Sequence, residues 1–215
     1  MPPKMRGFDT ADSTEGIAHI IASKFRNEDG TQAQVVAGLY LRKDRTTLSE
    51  IEGLFSVQDT AGNGVFSLVF FHENGYPTTP DYFTDDQAKI NGEAILTLAD
   101  YYNFPKEMAI FDCADYDSKI DDLDSYLRIL HGILYPENRY LGLYGNWTCI
   151  NHFKNTVADD NHNVIHAGIL SQSTGFKPYP NDLSVVDAWQ GPTVKICGMD
   201  CDEENVNNLD ILWRP

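Results

Sequence analysis

Residues 108–117, MAIFDCADYD, set a short apolar run against a burst of acids. Residues 108–111 read as a buried strand, because apolar runs of this length between turn signals form strands. Asp112, Asp115 and Asp117 close it, with no Lys or Arg inside the run to offset them. A carboxylate beside a core needs water, a hydrogen-bond donor or an opposite charge. On an extended backbone Asp115 and Asp117 point to the same face. Two carboxylates in one pocket are the raw material of glycoside hydrolysis, one protonating the leaving oxygen while the other supports the sugar cation or activates water. The plainer role for such acids is to cap the next helix or close a turn.

Other acids fall at the ends of other predicted strands. A strand over 6–10 carries Asp9, a strand over 65–71 delivers His72 and Glu73, and a strand over 194–199 leads into Asp200 and Asp202. Further strands are predicted over 35–41, 140–144, 164–170 and 185–190. Between them lie helices. Ser13 or Thr14 caps one running to Phe25, and Thr47 with Glu50 forms a capping box ahead of Ile51, Leu54 and Phe55. Another capping box starts at Thr84 and opens a helix to Tyr102, Leu123 to Leu134 recur at helical spacing, and a fifth helix spans 147–157. Five β-α units followed by three strands with little helix between them imply a parallel sheet. Eight such strands predict an α/β fold, a single (β/α)8-type TIM barrel with few helices in its last third. In a closed barrel the strand ends share one rim, so the acids would converge there. Strand-end aromatics Tyr40, Tyr144 and Trp189, with Gln172 after the sixth strand, complete a groove suited to a sugar ring.

The chain has 215 residues, 42% of them hydrophobic, and a formal charge of −16 from 32 acids against 16 Lys and Arg. That balance argues against nucleic acid and anionic membrane surfaces as partners. The first ten residues lack the apolar region of a signal peptide, so the expectation is synthesis in the cytoplasm, with release or export by a non-classical route, or a leader already removed. Cys113, Cys149, Cys197 and Cys201 match no strong zinc spacing and read as buried free thiols. Asn146-Trp147-Thr148 is a glycosylation sequon, meaningful in a secreted eukaryotic protein.

Gly7-Phe8-Asp9, Asp115-Tyr116-Asp117, Gly142-Leu143-Tyr144, Trp189-Gln190 and Gly198-Met199-Asp200-Cys201-Asp202, in that order, resemble glycoside hydrolase family 25, the lysozyme family of phage endolysins and bacterial autolysins. The closer likeness is to neighbouring glycoside-hydrolase-like domains with a D-Y-D strand end. The resemblance runs from Gly7 to Asp202. It implies one muramidase-like barrel domain over 1–215 that cuts the sugar backbone of peptidoglycan, a polysaccharide substrate, with no cofactor or metal. Asp9 would match the family's first-strand aspartate, Asp115 and Asp117 its D-x-E pair, and Asp200 its late aspartate. Asp117 would then be the general acid, Asp9 and Asp115 would stabilise charge or orient substrate, and Asp200 would hold the geometry. Asp112 and Asp202 would add substrate contacts.

The family's general acid is Glu, and Asp117 is one methylene shorter. A donor misplaced by about 1 Å can lose ~10²-fold in rate. The backbone compensates, or Glu73 donates instead, or hydrolysis is lost and a carbohydrate-binding barrel remains. A metal-dependent hydrolase built on His162 and His166 is a further reading, set against solvent-facing histidines in a turn. Thiol catalysis by Cys113 is opposed by its acidic neighbours, which raise a thiol pKa.

Overall fold

The computed structural model describes residues 3–214 apart from 107, 172–175 and 177. Eight strands close a barrel in chain order: β1 (Met5–Asp9), β2 (Val35–Tyr40), β3 (Phe66–His72), β4 (Ala109–Cys113), β5 (Tyr140–Gly145), β6 (Ala167–Leu170), β7 (Ala188–Ile196) and β8 (Met199–Val206). Helices α1 (Ala18–Ala22), α2 (Leu48–Phe55), α3 (Asp85–Tyr101), α4 (Ile120–Leu134) and α5 (Trp147–Lys154) follow the first five strands. The predicted α/β barrel with its helix-poor last third is therefore the fold.

Its handling of the chain end differs from expectation. Strands β1 to β7 are parallel, but β8 runs antiparallel to both β7 and β1. Half of the residues predicted as an eighth strand, 194–199, belong to β7, which continues to Ile196. Cys197 (φ 53°) and Gly198 (φ 89°) then reverse the chain, and Ile196 pairs with Met199, so Cys197 is exposed at the turn while the other three cysteines are buried as expected. Two consecutive positive φ values define the two-residue turn that matches strand twist. Because β8 starts at the mouth, its first residues lie at the rim, and Asp202 pairs with Asp9.

Strand residues alternate between two cores. Val36, Val69, Phe111, Ile169, Ala188 and Val206 fill the barrel interior. Leu39, Leu68, Ile110, Leu143 and Leu170 face the helices. Each buried side chain of this size contributes about 1.5–3 kcal/mol. Gly38 on β2 has no room for a side chain, since a Cβ there would lie 2.6 Å from the Cβ of Asp9 and 2.7 Å from the Phe71 ring. Below the interior, the segment after β8 folds back. Ile211 and Leu212 join the interior core, and Trp213 exchanges backbone hydrogen bonds of 2.8 Å with Leu68.

Local caps explain the helix starts. Thr84 accepts from the Gln87 N–H at 3.2 Å and opens α3. Replacing Thr84 by Ala is expected to lower stability by about 1 kcal/mol, read as a lower urea midpoint with unchanged slope. The first helix is shorter than predicted, because Thr14 does not cap it. The Thr14 N–H (2.6 Å) and hydroxyl (2.7 Å) both donate to Glu50 Oε1, whose carboxylate is buried and needs donors. Glu50 therefore anchors the β1–α1 loop, while Thr47 alone caps α2 by accepting from the Glu50 N–H.

Candidate active site

A cleft of about 550 Å³ opens at the mouth of the barrel. Asp9 of β1, Tyr40 of β2, Glu73 just past β3, Asp115 just past β4, Tyr144 of β5, Gln190 and Thr193 of β7 and Asp202 of β8 line it, over a floor that includes Phe71 and Cys113. They meet at the end of the barrel where β1 to β5 finish, while β7 and β8 run on past it as a hairpin in which Thr193 lies opposite Asp202. No Lys or Arg is among the described residues that line it.

Gln190 organises the β1–β8 side. Its Nε2 donates to Asp9 Oδ2 (3.1 Å) and Asp202 Oδ2 (3.2 Å), and its Oε1 accepts from the Tyr144 hydroxyl (2.7 Å). Thr193 donates to the other Asp202 oxygen at 2.5 Å. One amide thus holds two carboxylates and a phenol in register. Tyr40 packs its ring against Phe71 at 6.1 Å, and Tyr144 meets Phe71 edge-on at 5.8 Å. Burial raises both phenols' pKa, so they stay neutral and present aromatic faces and hydroxyls.

The acids are set against one another in a half-dry space. Burial, and then the Asp115 charge, push the Glu73 carboxyl above its usual range. Burial, and then Asp202, do the same to Asp115. Asp9 is raised by burial, partly offset by hydrogen bonds with Glu204 and Gln190. Carboxyls raised by burial and by one another's charge are the kind of groups that acid/base chemistry uses. Beneath Asp9 on the same inner face lies Glu204, opposite Gly7 of β1 and Gln190 of β7. It is buried, and neither carboxyl oxygen meets a donor among the described residues.

Of the expected site residues, Asp9, Tyr40, Glu73, Asp115, Tyr144 and Asp202 meet in the cleft. Others do not. Asp112 follows the alternation of β4 outward, where its Oδ1 lies 2.7 Å from His72 Nδ1 and its Oδ2 accepts from the Tyr126 hydroxyl at 2.7 Å. Asn91 donates to that same hydroxyl at 2.6 Å, so Asp112 ends a buried network between strands and helices. Trp189 likewise belongs to the outer core, and its neighbour Gln190 takes the inward position. Asp117 does not share a face with Asp115, because the chain bends at Tyr116 instead of staying extended. It is exposed and meets the Asn146 amide at 3.4 Å. Asp200 pairs with Lys195 at 2.6 Å across the exposed β7–β8 hairpin. Gln172 lies outside the described residues.

Sequence reasoning missed Gln190, Thr193 and Glu204. The signal for Glu204 was present once β8 was reversed, since Asp202, Glu204 and Val206 alternate onto one face. Asn146, the sequon residue, is buried as the α5 cap and bonds Ser118 and the Cys149 N–H, which leaves no room for a glycan. Burial, followed by Asp112, raises the Cys113 thiol well above its ordinary pKa, which opposes a thiolate nucleophile. His162 and His166 stack on Tyr135 (4.3 Å) and Tyr140 (4.6 Å) in a separate hollow of about 720 Å³ that also borders α4 and α5. No group of His, Cys, Asp and Glu among the described residues is arranged to hold a metal ion. No helix among them is long and apolar enough to cross a membrane.

Fold and cleft together define an irregular α/β barrel with an acid-rich mouth. No protein-family model matches the chain, and no curated protein matches it in sequence. Solved structures do resemble it. The Tat-secreted protein Rv2525c of Mycobacterium tuberculosis, in complex with L-tartrate, superposes with a TM-score of 0.67 at 17% identity, over 94% of this chain and 95% of that one. GHIP, a glycosyl hydrolase 25 of Streptococcus pneumoniae described as a virulence factor participating in host cell invasion, gives 0.54 at 9% identity, over 99% and 94%. The catalytic domain of endolysin ply40, from bacteriophage P40 of Listeria monocytogenes, gives 0.50 at 9% identity, over 96% and 95%. At such identities the shared property is the barrel fold.

Proposed function

We propose that this protein is a lysozyme-like glycoside hydrolase that cleaves an N-acetylated glycan, the sugar backbone of peptidoglycan, at the mouth of its barrel. The observation that carries this reading is the meeting of Asp9, Glu73, Asp115 and Asp202 with Tyr40 and Tyr144 in one cleft. Aromatic faces suit the apolar side of a pyranose, and the carboxylates suit its hydroxyls and a positively charged transition state. The fold shared with a glycosyl hydrolase 25 and an endolysin catalytic domain supports the same class.

In this reading Glu73 gives the proton to the departing oxygen, since it is half-buried and its pKa is raised. Asp115 and Asp202 supply negative charge on either side of the sugar, and Asp9, fixed by Gln190, orients substrate or water. The test is incubation of the purified protein with bacterial cell walls, reading turbidity and released reducing ends. Wild type is expected to release them, Asp115→Asn and Asp202→Asn to lose most of that activity, and Asp117→Asn to keep it. A second reading is a carbohydrate-binding barrel without hydrolysis. It is favoured by the exposure of Asp117 at the position that matches the family's general acid. Retention on insoluble walls without released ends would select it, and neither binding nor release would sink both.

A further inference from the structure

Glu204 is a carboxyl group in a place that offers it almost nothing. It is 1% exposed, and among the described residues neither oxygen meets an N–H or hydroxyl donor. The strands on either side oppose it with Gly7 and Gln190, which carry no charge. The titratable groups that bear on it are Asp9 of β1 and Asp202 of its own strand, both acids. An ionised carboxylate taken from water into such a place is strongly disfavoured, with nothing there to offset the lost hydration. Asp9, two residues along β1 from the Gly7 that opposes Glu204, brings its carboxyl within hydrogen-bonding range of it. Two carboxyl groups can form a hydrogen bond only when one of them carries a proton.

We propose that Glu204 is a positioning residue: a neutral carboxylic acid that donates its proton to the Asp9 carboxylate from beneath and fixes it, ionised, at the cleft. The proton resides on Glu204 because Glu204 is the deeper group and has no other donor. Asp9 sits at the open end and already accepts from Gln190 Nε2 at 3.1 Å, which favours its charged form. Burial, and then the Asp9 charge, hold the Glu204 pKa well above its ordinary value. Asp9 is thereby gripped by a donor from β7 and a donor from β8, which sets its free lone pairs toward the cleft. The consequence for catalysis rests on the glycosidase reading, but the location of the proton does not.

The experiment is carbon-13 NMR of the carboxyl groups across pH 4 to 8, on wild type, Glu204→Gln and Glu204→Met, with wall hydrolysis measured beside it. In wild type one Glu carboxyl is expected to hold the protonated shift at pH 7, and that resonance vanishes in both variants. Glu204→Gln keeps an N–H donor beneath Asp9, so the Asp9 titration stays near its wild-type midpoint. Glu204→Met removes the donor, and Asp9 then titrates about one to two pH units higher, the equivalent of one hydrogen bond to a charged group. Hydrolysis should follow the same split, retained in Gln and reduced at least about tenfold in Met. A Glu204 carbon ionised at pH 7, or an Asp9 midpoint that is the same in all three proteins, overturns the proposal. If wild type hydrolyses nothing while Glu204 stays protonated, the glycosidase reading fails and the dyad stands.

Discussion

Glu73→Gln is expected to reduce release of reducing ends from cell walls by roughly 10²- to 10⁴-fold, the usual contribution of a general acid. Glutamine keeps the length and polarity of the side chain but cannot give up a proton in this step. The same residue fixes the pH response. Its carboxyl is held above the ordinary range by burial and by Asp115, so it stays protonated at pH values where an exposed Glu has ionised. Activity should therefore fall as pH rises through the Glu73 pKa. Asp115→Asn removes a neighbouring negative charge, so it should move that alkaline limb downward in whatever activity remains. Binding to walls should be little changed in Glu73→Gln, because the aromatic and amide contacts survive. Full activity in Glu73→Gln would remove Glu73 from the reaction.

The second large effect is on stability. Asp112→Ala should lower stability by about 3–5 kcal/mol, as for one partner removed from a buried pair. For a chain of this size that is a fall in Tm of roughly 6–20 °C. The carboxylate joins His72 to Tyr126 in the layer between β3, β4 and α4, and Asn91 of α3 is bonded to the same hydroxyl. Alanine would leave a ring nitrogen and a phenol without their partner, where no water reaches them. Asp112→Asn, which keeps the shape and part of the bonding, should lose less. Differential scanning calorimetry measures both. A stable Asp112→Ala with weakened glycan binding would instead return this residue to the cleft.

These two residues also mark how far the sequence could be read. The strand ends, the αβ alternation and the capping residues Thr47 and Thr84 were legible because each is a local pattern with a local cause. Asp9, Glu73 and Asp115 were legible as strand-end acids once a closed barrel was inferred. Which way a side chain faces depends on register, and register depended on two events that periodicity does not report. One is the bend at Tyr116, which separates Asp117 from Asp115. The other is the left-handed pair Cys197 and Gly198, which reverses β8 and exchanges Asp200 for Asp202 at the cleft. Trp189 and Gln190 show the same dependence over a single step: adjacent residues, opposite faces, and a polar amide where an aromatic ring was expected.

The descent of β8 also decides how the molecule can be held. The strand leaves the mouth and delivers the last residues to the other end, where Ile211 and Leu212 stopper the interior and Trp213 seals the lower edge of β3 among Phe55, Phe70 and Phe104. A surface linker or a fused reporter attached after Arg214 would depart from the stoppered side, leaving the opening turned toward the medium. Trimming that terminus, by contrast, would uncork the barrel and admit water to its interior from below.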